Sequence, residues 1–181
     1  MRRPKAECVV RTVETPLGPL LAGSLPGGIC LLEYTWRDRL EPQLSRLRRH
    51  LDCETADGSN PHLAQLEREL TDYFLARRRD FAVPLIIGGT PFQERVWRAL
   101  LDIPYGTTRS YDELSRIVGA EGAQRAVGHA NGSNRIAIVI PCHRVINKSG
   151  KLGGYGGELW RKQALLGLES GRPLLDFDEK N

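Results

Sequence analysis

Over residues 9–34 short apolar runs alternate with turn residues, and Thr15-Pro16-Leu17-Gly18-Pro19 and Pro26-Gly27-Gly28 interrupt them. A period near two, broken by such turns, predicts antiparallel strands joined as hairpins and hence a small sheet. The period then lengthens. Residues 42–51 carry Leu44, Leu47 and Leu51 on one stripe, and residues 63–75 carry Leu66, Leu70, Tyr73 and Phe74 on another. Both patterns predict amphipathic helices. Arg77-Arg78-Arg79 follows the second helix, where positive charge complements the negative helix end. Pro84 and Gly88-Gly89 break the pattern, and Thr90-Pro91 supplies a cap and a first-turn proline for a new helix. A boundary at this point divides the chain into an N-terminal α/β domain, residues 1–88, and a second domain, residues 89–181.

The second domain reads as helix (92–101), a Pro104-Tyr105-Gly106 turn, helix (111–118), a short glycine-containing turn, and helix (122–130). Two helices joined by a short turn form the arrangement of helix-turn-helix nucleic-acid readers. On a wheel of the third helix, Ala123, Ala126, Val127 and Ala130 share one face, while Arg125, Gly128 and His129 share the opposite one. Glycine on an exposed helix face costs about 1 kcal/mol relative to alanine, which close approach of another backbone would explain. The apolar run 136–140 predicts a strand buried on both faces that stops at Pro141. The fold class is therefore α+β: a small N-terminal antiparallel sheet with helices, then a mainly helical, winged-helix-like domain.

A length of 181 residues with 40% hydrophobic content suffices to bury a core. Cys8, Cys30, Cys53 and Cys142 are widely spaced and include no Cys-x-x-Cys pair, so neither a disulfide framework nor a zinc ribbon is signalled. The first residues lack the apolar stretch of a signal peptide, and no run has the length of a membrane span, so a cytoplasmic location is expected. The net charge is +4 and the pI is near 9.0. Between Arg109 and Lys162 nine Lys or Arg stand against four Asp or Glu, so the basic character is concentrated there. This distribution suits a polyanionic partner and equally a solvated basic surface.

Chemistry centres on Cys142-His143, just past the apolar run. The thiolate is the reactive form of cysteine, and an adjacent imidazole helps to generate it from a thiol of ordinary pKa about 8.5. On an extended strand neighbouring side chains point to opposite faces, so His143 would need a turn or a water to reach the sulfur. The dipeptide alone fits a nucleophile and also a buried structural cysteine.

A wider pattern separates these readings. Ile140-Pro141-Cys142-His143-Arg144-Val145-Ile146, with Asn134 eight residues before the cysteine and Glu169 twenty-seven after it, resembles the active-site signature of the O6-alkylguanine-DNA alkyltransferases. The likeness continues through Thr90-Pro91-Phe92-Gln93-Glu94-Arg95-Val96-Trp97 and Ile103-Pro104-Tyr105-Gly106-Thr107-Thr108-Arg109-Ser110-Tyr111. It takes in Arg125-Ala126-Val127-Gly128, Gly154-Tyr155-Gly156-Gly157, and Arg161-Lys162 with Leu165-Leu166. It covers residues 89 to about 170, whereas the first half matches only through its Thr-Pro-Leu-Gly hairpin.

The resemblance implies a single-use repair protein without a cofactor, monomeric off DNA, whose partner is double-stranded DNA containing O6-alkylguanine. Cys142 would accept the alkyl group, His143 would act as its base through a water, and Glu169 would orient the imidazole. Asn134 would tie the turn after the recognition helix to the active-site backbone. Arg125 would fill the gap left by an extruded nucleotide, with Ala123, Ala126 and Gly128 of the same helix lying in the minor groove. Tyr111 would crowd the target's 3′ phosphate and then donate a hydrogen bond to the base. Tyr155, Gly156, Gly157, Ala137 and Val145 would wall the alkyl pocket around Cys142.

Two departures stand out. The family usually has proline after the asparagine, where this chain has Arg135, implying a less rigid turn or an added phosphate contact. Relatives with an N-terminal zinc site place Cys and His ligands differently, so no metal is expected, and Cys8, Cys30 and Cys53 are read as passive. Binding-only relatives carry tryptophan at the cysteine position, against Cys142 here. Phosphatase chemistry needs Cys-x5-Arg, against Lys148 here.

Overall fold

The structure, a computed structural model, describes residues 5–35 and 40–174. It divides into two compact units, Met1–Gly88 and Gly89–Asn181.

The first unit is built on a four-stranded sheet in the order β3-β2-β1-β4. Strands β1 (Ala6–Val13), β2 (Leu20–Leu25) and β3 (Gly28–Tyr34) are antiparallel neighbours. The first hairpin turns at Gly18, φ +102°, whose amide donates to the Thr15 carbonyl at 3.0 Å. At the second, Gly28 has φ +145°, and a Cβ there would lie 2.3 Å from the Pro84 carbonyl oxygen, so only glycine fits. Helix α1 (Leu40–Leu51) buries Leu44 and Leu47 against Cys8, Val10, Cys30 and Leu31. Helix α2 (Pro61–Phe74) buries Leu66, Leu70, Tyr73 and Phe74, the stripe read from the sequence. It begins two residues earlier than its pattern suggested, because the Asn60 side chain caps the Leu63 amide at 3.0 Å and Pro61 occupies the first turn.

Sequence reading missed β4 (Cys53–Asp57), which runs parallel to β1 and makes the sheet mixed. It is an edge strand with a single buried position, so it carries no hydrophobic alternation to read. The arginine run lies past the end of α2. There Arg78 pairs with buried Glu69 at 3.6 Å, and the same carboxylate accepts the Ala82 and Val83 amides.

The second unit begins with α3 (Pro91–Leu101), closed by a Thr90–Gln93 capping box. Helices α4 (Tyr111–Ile117) and α5 (Gln124–Gly132) follow, and the link between them uses Gly119 and Gly122 at positive φ. Strands β5 (Arg109–Ser110) and β6 (Val145–Ile146) pair in parallel, and α6 (Leu159–Glu169) closes the unit. Trp97 Nε1 donates to the Ala130 carbonyl at 2.8 Å, which fixes α5 on α3.

Residues 136–140 are buried as expected, but they form no strand. They make a compact turn, with the Ile140 amide on the Ile136 carbonyl at 3.0 Å and the Val139 amide on the Ala137 carbonyl at 2.8 Å. Ile138 sits at φ +70°, a conformation costing a β-branched residue about 1–2 kcal/mol. An unbroken apolar run specifies burial on every side, and a turn inside a core satisfies that as well as a central strand does. Among the described residues no helix is long and apolar enough to cross a membrane.

Candidate active site

The turn after α5 is organised by one side chain. Asn134 is buried. Its amide nitrogen donates to the Ile140 carbonyl at 2.8 Å and lies 3.2 Å from Cys142 Sγ, while its oxygen accepts the Ile136 amide at 3.0 Å. These bonds replace the ladder a strand would have provided. The turn delivers Cys142 into a short 3-10 turn, Cys142–Arg144, and Asn131, buried near the end of α5, donates to the Cys142 carbonyl at 3.3 Å. Cys142 is 6% exposed, so its sulfur sits at the edge of the core.

Cys142 and His143 share this 3-10 turn, one of the two arrangements that the sequence required for His143 to serve the sulfur. His143 is fully buried, and its Nε2 lies 2.8 Å from Glu169 Oε1. Glu169 also receives Arg144 through Nε, at 2.9 Å from Oε2, and through Nη2, at 2.9 Å from Oε1. The Gly106 amide donates to Oε2 at 3.1 Å. Burial works against the Glu169 charge, but the His143 and Arg144 hydrogen bonds and the Arg144 cation outweigh it and hold the carboxyl at about 2. Glu169 is therefore an anion at neutral pH. Burial lowers the His143 pKa, as do the Arg144 and Lys162 charges, against the opposing pull of Glu169. The ring is thus neutral, with its proton on the Nε2 that faces the carboxylate. His143 Nδ1 then remains as a buried acceptor without a protein hydrogen bond.

Tyr111, the first residue of α4, is half-buried, and its pKa is raised by burial and by the Cys142 charge. Its ring packs against two glycines. A Cβ on Gly153 would come within 2.8 Å of it, and one on Gly128 would meet it at 3.6 Å. Gly128 accordingly faces Tyr111 and not the open side of α5.

The open side of α5 carries Arg125, Ala126 and His129, all exposed. Ala126 therefore leaves the core stripe proposed from the wheel, while Val127 and Ala130 stay in it and Asn131 joins them. The helix starts two residues later than expected, so Ala123 caps it, half-buried. Val145 is buried directly after the 3-10 turn, Ala137 is buried within the Asn134-held turn, and Tyr155, Gly156 and Gly157 follow in the loop before α6.

Arg135 is buried with its guanidinium 5.6 Å from the Trp97 ring centroid, a cation–π contact, so it does not reach out as a phosphate contact would require. Three site residues had no role in the sequence reading: Asn131, Arg144 and Lys162. Arg144 and Lys162 stood inside quoted motifs, and a charged residue directly after a reactive dipeptide was the available signal. Asn131 gave none.

A family profile described as 6-O-methylguanine DNA methyltransferase, DNA binding domain, matches residues 91–171. The chain is 47% identical over 170 residues to the methylated-DNA–protein-cysteine methyltransferase of Mycobacterium bovis, covering 92% of this chain and 95% of the relative. It is 39% identical over 155 residues to the constitutive methylated-DNA–protein-cysteine methyltransferase of Bacillus subtilis, covering 86% and 90%. Among solved structures it is similar to Mycobacterium tuberculosis OGT in complex with DNA, with TM-score 0.79, 41% identity, and coverage of 92% of this chain and 97% of that one. With relatives this similar across nearly their whole length, and Cys142, His143 and Glu169 buried in the matched domain, the chain belongs to the methylated-DNA–protein-cysteine methyltransferase family.

Proposed function

We propose that this protein repairs DNA by transferring the alkyl group of O6-alkylguanine to Cys142, once per molecule. The observation that carries this reading is a buried sulfur hydrogen-bonded by Asn134, in the same short turn as a buried imidazole that an anchored carboxylate, Glu169, holds at 2.8 Å. His143 Nδ1 takes the thiol proton through a water, and Glu169 stabilises the imidazolium that forms. The thiolate attacks the alkyl carbon. An S–C bond forms, the C–O6 bond breaks, its electron pair leaves with O6, and the proton lost from Cys142 ends on guanine. Tyr111 assists by hydrogen bonding to the base.

The attack needs the base outside the stack. Helix α5 lies in the minor groove with Arg125 filling the gap, and its small exposed Ala126 lets the backbone approach. Ala123 and Gly128 flank that contact. Tyr155, Gly156, Gly157, Ala137 and Val145 wall the pocket for the alkyl group. A thioether is a poor leaving group, so Cys142 is not regenerated. The protein acts as a monomer in the cytoplasm.

Incubation with a duplex carrying isotope-labelled O6-methylguanine tests this. Label moves to protein and saturates at one group per molecule. Label released to solvent, or bound DNA that keeps its label, contradicts transfer.

A further inference from the structure

Lys162, on α6, is fully buried. Its ammonium donates to the Val145 carbonyl at 2.6 Å and reaches the Gly153 carbonyl at 3.5 Å. Val145 follows the reactive turn and donates its own amide to the Cys142 carbonyl. Gly153 opens the loop that leads to Tyr155 and supports the Tyr111 ring. Lys162 thus clamps two walls of the proposed alkyl pocket.

Its charge is the less expected feature. A buried ammonium is costly unless an anion balances it. Among the described residues no carboxylate forms an ion pair with Lys162: Glu169 is taken by His143 and Arg144, and Glu158, earlier on α6, pairs with Arg161. The other ionisable groups around the site are Tyr111 on α4 and Cys142 and His143 on the 3-10 turn. Of these, His143 is neutral at rest and Tyr111 keeps its proton, so the negative charge that forms beside Lys162 is that of the Cys142 thiolate once its proton has left.

We infer that Lys162 is a positioning residue for the transfer proposed above, holding a positive charge beside the reactive turn that favours the Cys142 thiolate and keeps the resting His143 neutral and open to the thiol proton. Burial lowers the Lys162 pKa to about 8, and the Cys142 charge acts in the opposite direction. The coupling is reciprocal. Alkylation replaces the thiolate by a neutral thioether, so Lys162 loses its counter-charge and binds its proton less tightly afterwards. The state of Cys142 is thereby reported at the clamp between Val145 and Gly153.

The test uses the full chain and iodoacetamide, a thiol reagent that needs neither DNA nor base flipping, with Cys142 modification followed by peptide mass spectrometry across pH. Lys162→Met moves the midpoint of the rate profile up by about one pH unit, a tenfold loss below the midpoint, while the alkaline limiting rate changes little. Lys162→Arg keeps the wild-type midpoint. A uniform slowdown at every pH in Lys162→Met, or an Arg variant that behaves like the Met variant, overturns the charge role. A second measurement needs no variant. The buried lysine ammonium of the wild type is titrated by nitrogen NMR before and after alkylation of Cys142, and its midpoint falls on alkylation; an unchanged midpoint overturns the coupling. Failure of the wild type to accept methyl groups from O6-methylguanine DNA counts against the repair reading alone, since both measurements here are independent of it.

Discussion

Arg144 and Glu169 form a forked ion pair, in which Nε and Nη2 of the arginine each lie 2.9 Å from a different carboxylate oxygen, inside the core of the second unit. Arg144 Nη1 also donates to the Ile103 carbonyl at 2.6 Å. The carboxylate that orients His143 is therefore also the counter-ion of a buried guanidinium. Orientation and stability rest on the same two oxygens.

Glu169→Gln should accordingly cost more than rate. It strands the Arg144 charge, and breaking a buried pair from one side typically costs about 3–5 kcal/mol. The folded carboxyl is held at about 2 against an ordinary value of 4.5. A lowered carboxylate stabilises the fold above the unfolded value, and that contribution fades as pH falls from 4.5 toward 2. Urea unfolding of both proteins should show a large gap at neutral pH that narrows near pH 3. A gap independent of pH contradicts the ion-pair account. In transfer assays on protein that remains folded, the variant should lose more at neutral than at alkaline pH.

Asn134→Ala removes the donor to Ile140 and to the sulfur together. A buried carbonyl left unsatisfied costs about 1–3 kcal/mol, and the turn that presents Cys142 loses the bonds that replace its ladder. Both thermal stability and the rate with free O6-benzylguanine should fall. A stable protein with wild-type rate would show that the apolar packing of residues 136–140 holds the turn unaided.

The two glycines that face Tyr111 should behave differently. On Gly153 a Cβ collides with the ring, whereas on Gly128 it makes an ordinary contact at 3.6 Å. Gly153→Ala should displace Tyr111 and slow reaction with the free base and with DNA alike. Gly128→Ala should keep or raise stability, by up to about 1 kcal/mol from helix propensity, and react normally with the free base. Loss confined to duplex substrate in Gly128→Ala assigns the residue to DNA approach, while equal losses assign it to the site.

Arg125 is exposed, so Arg125→Ala should change stability by no more than a few tenths of a kcal/mol. Holding a base out of the stack offsets a few kcal/mol, so duplex repair should slow tenfold or more while reaction with free O6-benzylguanine stays near wild type. Comparable losses on both substrates would give Arg125 a role in the site itself.

Helix stripes such as Leu66, Leu70, Tyr73 and Phe74 were legible in the sequence because burial repeats at the helical period. The Cys142, His143, Glu169 and Asn134 set was legible from the likeness to a family signature, and the fold pairs Asn134 with Cys142 and Glu169 with His143. The turn at residues 136–140 was not, since side-chain hydrogen bonds from Asn134 substitute for backbone pairing and leave no periodicity. The buried cations were hidden for a related reason: a sequence displays the charges of Arg135, Arg144 and Lys162 but not the ring, carboxylate and carbonyls that allow each to be buried.

The proposed transfer ends on a single sulfur, that of Cys142. Intact-protein mass spectrometry after incubation with excess O6-methylguanine duplex, followed by peptide mapping, reads it directly. The account predicts one added methyl group per protein molecule, located on Cys142, a stoichiometric amount of restored guanine, and no addition in Cys142→Ser, which still binds DNA. A methyl group on any other residue, or restored guanine exceeding the protein present, would contradict it.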